Sequence, residues 1–181
     1  MKRSLSVFLA ILVIAAAAVA ADEGRFFTYP TIHGSRIVFT YESDLWSVDA
    51  KGGVAARLTT FPGTESFAKL SPDGKWLAFT ATYDGTPAVY LMPSEGGVPV
   101  RLTYNPGGAQ VVAWTPDGSE IVFRSSFENV VGRDPNLFSV GVKGGAPMRL
   151  PLDRGVLVSF IPEKHQFLFC RRGNEEYYWK R

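Results

Sequence analysis

Short apolar runs separated by polar turn clusters recur along this chain, and residues 71–103 show the pattern most clearly. Ser71-Pro72-Asp73-Gly74 is a turn signal, because proline fixes φ, aspartate accepts bonds from nearby backbone N–H groups and glycine tolerates positive φ. Residues 76–80, Trp-Leu-Ala-Phe-Thr, suit a pleated, half-buried surface and predict a strand. Tyr83-Asp84-Gly85-Thr86-Pro87 breaks the run, residues 88–92 predict a second strand, Glu95-Gly96-Gly97 a reversal and residues 98–103 a third strand.

The unit then repeats. Pro72-Asp73-Gly74 returns as Pro116-Asp117-Gly118, 116 − 72 = 44 residues later. Gly96-Gly97 has an earlier copy at Gly52-Gly53 (96 − 52 = 44) and a later one at Gly144-Gly145 (144 − 96 = 48). Arg57-Leu58-Thr59, Arg101-Leu102-Thr103 and Arg149-Leu150 close the three units at matching places. A period of about 40–50 residues holding about four strands is the size of one β-propeller blade of the WD40-like kind. The fold class that follows is all-β, a partial propeller of about three and a half four-stranded blades.

In chain order, Met1-Lys2-Arg3 followed by an uncharged apolar run over residues 5–21, with Ala18-Val19-Ala20 at its end, reads as a signal peptide over residues 1–21. Cleavage is expected after Ala20 or Ala21, which makes the mature chain exported, periplasmic or secreted; the alternative is an uncleaved N-terminal membrane anchor. Residues 22–181 form the propeller: blade 1 at about 25–60, blade 2 at about 65–104, blade 3 at about 109–151 and a partial blade 4 at about 156–181. In blade 1 the inner strand is predicted at residues 25–31, then strands at 36–40, 44–48 and 55–59. Blade 2 begins with residues 66–70, and blade 3 has strands at 110–114, 120–125, 136–140 and 147–150. Residues 127–135 lengthen the loop between the middle strands of blade 3, a tolerated insertion or a contact loop. Blade 4 contributes strands at 157–160 and 167–170, joined by Ile161-Pro162-Glu163-Lys164, a worn copy of the Pro-Asp-Gly turn. Because closed propellers have four to eight blades, these residues read as the front of a longer protein, ending at Arg181 by truncation or otherwise. The open edges of the ring make the isolated chain an expected self-associating species.

Aromatic residues make up 13% of the chain, with 18 glycines and 12 prolines, as in a turn-rich β protein and unlike a disordered one. The net charge of +2 falls to about zero once Lys2 and Arg3 leave with the leader, since 19 − 2 = 17 basic residues then face 17 acidic ones. No basic stripe is left as a footprint for DNA or RNA, so no nucleic-acid partner is expected, and Arg171-Arg172 reads as a solvated turn. The single cysteine, Cys170, forbids an internal disulfide and reads as a small buried hydrophobe.

Candidate chemistry is sparse. Asp73 and Asp117 recur at equivalent places and invite a metal or acid–base role, yet their Pro-Asp-Gly turns already account for them. His33 stands where later units carry the turn, His165 likewise, and neither has a partner at ligand spacing. Glu42, Asp44, Asp84 and Glu128 are placed in loops between second and third strands, beside Tyr41, Tyr83 and Phe127. Those loops are either solvated or gathered at one face of the ring to meet a peptide or a partner domain. There is no Gly-x-Ser-x-Gly elbow, His-Glu-x-x-His, phosphate loop or dinucleotide fingerprint, so no catalytic, cofactor-binding or metal residue is assigned and no cofactor is expected.

Three stretches, YESDLWSVDAKGGVAARLT, PGTESFAKLSPDGKWLAFTATYDGTPAVYLMPSEGGVPVRLTYNPGG and VVAWTPDGSEIVFRS, resemble the N-terminal propeller of tricorn-type serine peptidases. The likeness extends from about Pro30 to Arg181, and its most specific elements are Asp44-Leu45-Trp46, Pro62-Gly63-Thr64-Glu65-Ser66 and Tyr178-Trp179-Lys180-Arg181. The resemblance implies a six-bladed ring followed by a second propeller, a PDZ module and a mixed α/β peptidase region that holds the catalytic serine and histidine. It implies a non-catalytic part in proteolysis: admitting or filtering peptides or unfolded proteins, with the C-terminal peptidase domains as partners and a homo-oligomer as a further expectation. The export leader departs from a cytosolic peptidase. Two alternatives stay open, an exported scaffold similar to the propeller of the Tol system and the propeller of a prolyl-oligopeptidase-like hydrolase.

Overall fold

The computed structural model describes residues 26–127, 135–152, 155–161 and 166–171. Residues 1–25, 128–134, 153–154, 162–165 and 172–181 lie outside the described residues, and with them the expected leader, Glu128, His165, Arg172 and Tyr178-Trp179-Lys180-Arg181.

Three antiparallel four-stranded meanders follow one another. The first holds β1 (Thr28–His33), β2 (Arg36–Tyr41), β3 (Asp44–Asp49) and β4 (Ala56–Arg57). The second holds β5 (Glu65–Leu70), β6 (Trp76–Ala81), β7 (Ala88–Pro93) and β8 (Val100–Arg101). The third holds β9 (Gln110–Trp114), β10 (Glu120–Ser125), β11 (Asn136–Gly141) and β12 (Met148–Arg149). A hairpin of β13 (Gly155–Ile161) and β14 (Gln166–Arg171) begins a fourth unit. The first strands β1, β5, β9 and β13 neighbour one another in series, which makes them the inner strands of a propeller.

The landmarks of the repeat have local causes. Asp73 Oδ1 accepts from the Ser71 hydroxyl at 2.6 Å and the Lys75 N–H at 3.1 Å, and Asp117 Oδ1 accepts from Thr115 Oγ1 at 2.7 Å and Ser119 N–H at 3.1 Å. Each aspartate thereby staples its own turn. The double glycines close the reversals between third and fourth strands, with Gly52, Gly96 and Gly144 N–H groups bonding back to Asp49, Pro93 and Gly141 carbonyls at 2.8–3.0 Å.

The outer strands are shorter than the sequence suggests. In blade 1 the Leu58 N–H bonds the Leu45 carbonyl at 2.7 Å, but the Leu45 N–H is taken by the Thr59 hydroxyl at 2.9 Å. Leu102, Val89 and Thr103 repeat the arrangement in blade 2, with distances of 2.8 and 2.9 Å. A side-chain oxygen thus replaces a carbonyl and ends the ladder after the arginine. That arginine is itself anchored: Arg57 pairs with Asp44 at 2.5 Å, Arg101 with Asp84 at 2.8 Å, and Arg149 donates to Asn136 Oδ1 at 3.2 Å.

The core lies between blades. Val38 and Leu45 pack against Phe79, Leu77 and Met92 of blade 2, while Ala78, Val89 and Leu91 pack against Val111, Ile121 and Phe123 of blade 3. Val158 of β13 meets Val112, Val122 and Leu137. One blade buries a single face on its neighbour, so stability accrues at each junction. Polar side chains tie the same junctions at backbone level: His33 Nε2 donates to the Pro72 carbonyl at 2.9 Å and Trp114 Nε1 to the Lys69 carbonyl at 2.8 Å.

Each inner strand also carries a β-bulge, at 28/31 in β1, 66/69 in β5, opposite 122/123 in β9 and at 155/157 in β13. Cys170 departs from its expected place, since it is exposed. It lies on β14, where residues 166–170 are all exposed because no described strand covers them.

Candidate functional site

The β2–β3 connection of blade 1 is a tight hairpin whose two turn residues, Glu42 and Ser43, both have positive φ (49° and 71°). The corresponding connections grow to residues 82–87 in blade 2 and 126–135 in blade 3. Thr82 and Pro87 of the first, Ser126 and Pro135 of the second and the starts of the inner strands border an open hollow of about 500 Å³. Its lining draws on three successive blades, including Ser66 and Phe67 of β5, Gln110 of β9 and Val156 of β13. This size suits a small ligand or a few residues of a peptide.

Hydroxyl and backbone groups fix the walls. Thr64 N–H donates to Thr82 Oγ1 at 3.0 Å and their hydroxyls lie 3.0 Å apart. Ser126 Oγ donates to the Gly107 carbonyl at 2.8 Å, Ser125 Oγ donates to the Gly108 carbonyl, and Asn105 Nδ2 donates to Ser125 Oγ at 2.9 Å. Gly107 is required by close approach, because a Cβ there would lie 2.8 Å from Phe127 Cα and the Ser126 carbonyl carbon. Thr80 Oγ1 accepts the Val111 N–H at 2.9 Å across the blade junction.

Behind Thr64 and Thr82, their sequence neighbours Glu65 and Tyr83 form a polar cluster around a buried carboxyl. Glu65 is 1% exposed; its Oε2 accepts the Thr59 hydroxyl at 2.6 Å and its Oε1 the Tyr83 hydroxyl at 2.7 Å. The Glu65 N–H bonds the Ser43 carbonyl of blade 1 at 2.7 Å. Burial pushes the Glu65 carboxyl above its usual range against the two hydroxyl donors, and Asp44 adds to the push. Burial and the facing carboxylate also push the Tyr83 hydroxyl up, so it stays a neutral donor.

Two aromatic side chains stand at the inner-strand bulges in left-handed backbone conformations, Tyr29 at φ 52° and Phe67 at φ 53°. Their rings are 4.0 Å apart, and Phe67 lines the cavity. Left-handed backbone at an aromatic residue costs of order 1 kcal/mol and is kept where the surroundings hold it. The bulge turns the ring towards the cavity.

Comparison with known proteins fits this geometry. The model of the tricorn protease N-terminal β-propeller domain matches residues 24–181. The chain belongs to that family. It is 37% identical over 65 residues to "Tricorn protease homolog 1" of Streptomyces coelicolor, a match covering 36% of this chain and 6% of that protein. The crystal structure of the tricorn protease superposes with a TM-score of 0.65 at 25% identity, over 75% of this chain and 14% of that one. A structure described as TolB from Agrobacterium tumefaciens superposes with a TM-score of 0.69 at 23% identity, over 80% of this chain and 53% of that one, a likeness of fold. The chain therefore spans a small part of the tricorn relatives it matches.

Within this tricorn propeller the residues singled out from sequence scatter. Asp73 and Asp117 are held in their turns, with carboxyls lowered by the Ser71 and Thr115 hydroxyls respectively and by backbone N–H groups. His33 bonds Pro72 beside a different hollow, and Asp84 serves Arg101 and the Tyr90 hydroxyl. Asp44 is no loop residue: it begins β3, is 7% exposed and pairs with Arg57. Glu42 occupies the hairpin, and Glu128 and His165 lie outside the described residues. Among the described residues no three His, Cys, Asp or Glu side chains gather to hold a metal ion.

The gathering of loops at one face holds for blades 2 and 3 through Thr82, Pro87, Ser126 and Pro135, and among the described residues Asp84 is not part of it. Sequence reasoning missed Arg124, which also lines this cavity. Its signal was a break in the repeat, since the matching positions are Thr80 (124 − 80 = 44) and Thr40 (80 − 40 = 40).

Proposed function

We propose that this propeller is the non-catalytic, substrate-admitting front of an exported tricorn-type serine peptidase, and that it receives unfolded peptides at the cavity between blades 2, 3 and 4. The observation that carries the reading is an open hollow of about 500 Å³ lined by hydroxyls, backbone and an aromatic ring, in a chain of the tricorn propeller family. Such a surface bonds peptide groups without demanding a sequence. Export rests on Met1-Lys2-Arg3 and the apolar run that ends at Ala18-Val19-Ala20.

The test is fluorescence anisotropy of labelled unfolded peptides with the 181-residue chain and with Ser66→Trp, which fills the hollow. Binding that weakens at least ten-fold in the variant, with unchanged far-UV circular dichroism, supports the reading; no binding by the parent chain, or equal binding by both, refutes it. The peptidase part is tested by the coding DNA beyond the Arg181 codon, where a PDZ module and an α/β region are expected. A stop after one or two further blades would favour the second reading, a protein-binding scaffold, to which the TolB superposition at a TM-score of 0.69 lends weight.

A further inference from the structure

The bulges of β5 and β9 fall at the same place, beside Phe79 and Phe123, yet they are built differently. In β9, Val111 is buried in the junction with blade 2, and its N–H donates to Thr80 Oγ1 at 2.9 Å. The matching residue of β5 is Phe67 (111 − 67 = 44), and the matching hydroxyl is that of Thr40 (80 − 40 = 40). Phe67 instead takes a left-handed backbone, φ 53°, and its neighbour Ala68 is the residue buried in the junction with blade 1. Thr40 Oγ1 is left buried with no hydrogen-bond partner among the described residues.

Two penalties therefore meet at one residue. A bulky side chain on left-handed backbone is strained, and a buried hydroxyl without a partner forfeits its hydration. A valine in the conformation of Val111 would relieve both, so the junction gains nothing from phenylalanine. What the arrangement delivers is an aromatic ring on the wall of the hollow. Tyr29, at the same bulge position of β1 and also left-handed at φ 52°, sets its ring 4.0 Å from that of Phe67. The pair is a preformed apolar surface, so little further ordering cost falls on binding. Aromatic rings meet such a surface offset or edge-on and gain beyond their buried area. The remaining walls, hydroxyls and backbone, suit the main chain of the same ligand.

We propose that Phe67, backed by Tyr29, is a specificity-determining position that takes an aromatic side chain of an unfolded peptide. It gives the otherwise sequence-tolerant hollow a preference for chains that expose what a folded protein buries. The peptide nature of the ligand rests on the reading above; the aromatic preference rests on Phe67 itself.

Three labelled peptides, blocked at both ends and identical except for a central Phe, Leu or Ser, are titrated by anisotropy into the 181-residue chain. The Phe peptide is expected to bind at least about five-fold tighter than the Ser peptide, and tighter than the Leu peptide. Phe67→Gly keeps the left-handed backbone without the ring, and there the preference should vanish. In Phe67→Val the preference should vanish too, while the melting temperature rises, because the backbone is free to give its N–H to Thr40. Equal binding of all three peptides, a Leu peptide as tight as the Phe peptide, or a preference that persists in Phe67→Gly overturns the proposal while leaving peptide admission standing. A melting temperature of Phe67→Val below that of the parent also overturns it, since the ring would then be kept for stability. Should no peptide bind, peptide admission fails by itself, and N-acetyl-phenylalaninamide is titrated against the ¹⁵N-labelled chain. A saturable shift of the Gly108 amide signal that is missing in Phe67→Gly upholds the aromatic site; no shift, or the same shift in both, overturns it.

Discussion

The Glu65 cluster gives the sharpest quantitative test of how the blades are joined. In Tyr83→Phe the ring keeps its contacts with Phe61 and Tyr90 at 5.4 and 4.7 Å, and only the hydroxyl that serves Glu65 Oε1 is lost. A hydrogen bond to a charged group contributes roughly 1.5–3 kcal/mol and one between neutral groups about 0.5–1.5 kcal/mol. The loss should therefore be about 2 kcal/mol where Glu65 is ionised and about 1 kcal/mol where it is protonated. The sign with pH follows from linkage. The Glu65 carboxyl is raised in the folded state, so its contribution is full below the unfolded value and lost as pH rises through the folded one. Removing a donor that lowers it raises it further, so the variant loses more than the parent over that window, and the gap between them widens with pH. Urea denaturation at pH 4.5 and pH 7.5 reads the change in that gap. In a melting experiment the pH 7.5 effect corresponds to about 4–8 °C for a chain of this length. A difference below about 0.5 kcal/mol, or one equal at both pH values, would refute the view that Glu65 is a buried carboxylate held by Tyr83.

Further outcomes follow from the turns and the outer strands. Gly74 and Gly118 have φ of 71° and 70°, but a Cβ on Gly74 would overlap the His33 imidazole, whereas one on Gly118 meets only Pro72 Cδ at 3.6 Å. Gly118→Ala should cost about 1 kcal/mol and Gly74→Ala about 2 kcal/mol, the excess being the displaced His33–Pro72 bond; equal losses by denaturant titration would contradict this. Arg57→Met should cost about 0.5–1 kcal/mol at low salt and less in 0.5 M salt, because Arg57 is 45% exposed while Asp44 is not. Asp117 has its carboxyl lowered, so its contribution is present above the unfolded value and lost as pH falls through the folded one. Asp117→Asn should therefore flatten the acid limb of the stability curve below about pH 4, and an unchanged limb would count against the turn staple.

Much of the architecture was legible because it is local. The double glycines, the Pro-Asp-Gly turns and the closing Arg-Leu pairs each bond within a few residues or within one blade, and their spacing of 44 to 48 residues is written along the chain. The strand run Gln110–Trp114 and the strand Glu120–Ser125 match expectation to the residue for the same reason. The two-residue outer strands were not legible, since a threonine hydroxyl standing in for a carbonyl looks, in sequence, like one more β-favouring residue. Cys170 was misjudged because an apolar run says which residues favour burial and not whether a neighbour arrives to cover them.

What the sequence by itself determined, then, is the blade: its period, its turns and its family likeness, all set by short-range conformational preference and by alternation that recurs. Only the tertiary structure decided what happens between blades. Glu65 and Thr59 are six residues apart, but the Tyr83 hydroxyl that completes their cluster lies 18 residues on, and the Ser43 carbonyl that anchors Glu65 belongs to the preceding blade. Likewise Arg124 comes to share a hollow with Phe67 and Val156 only because β5, β9 and β13 meet around it. Burial and charge pairing depend on which residues from distant positions share a junction, and that is fixed by packing one sheet on the next, a term no local pattern contains.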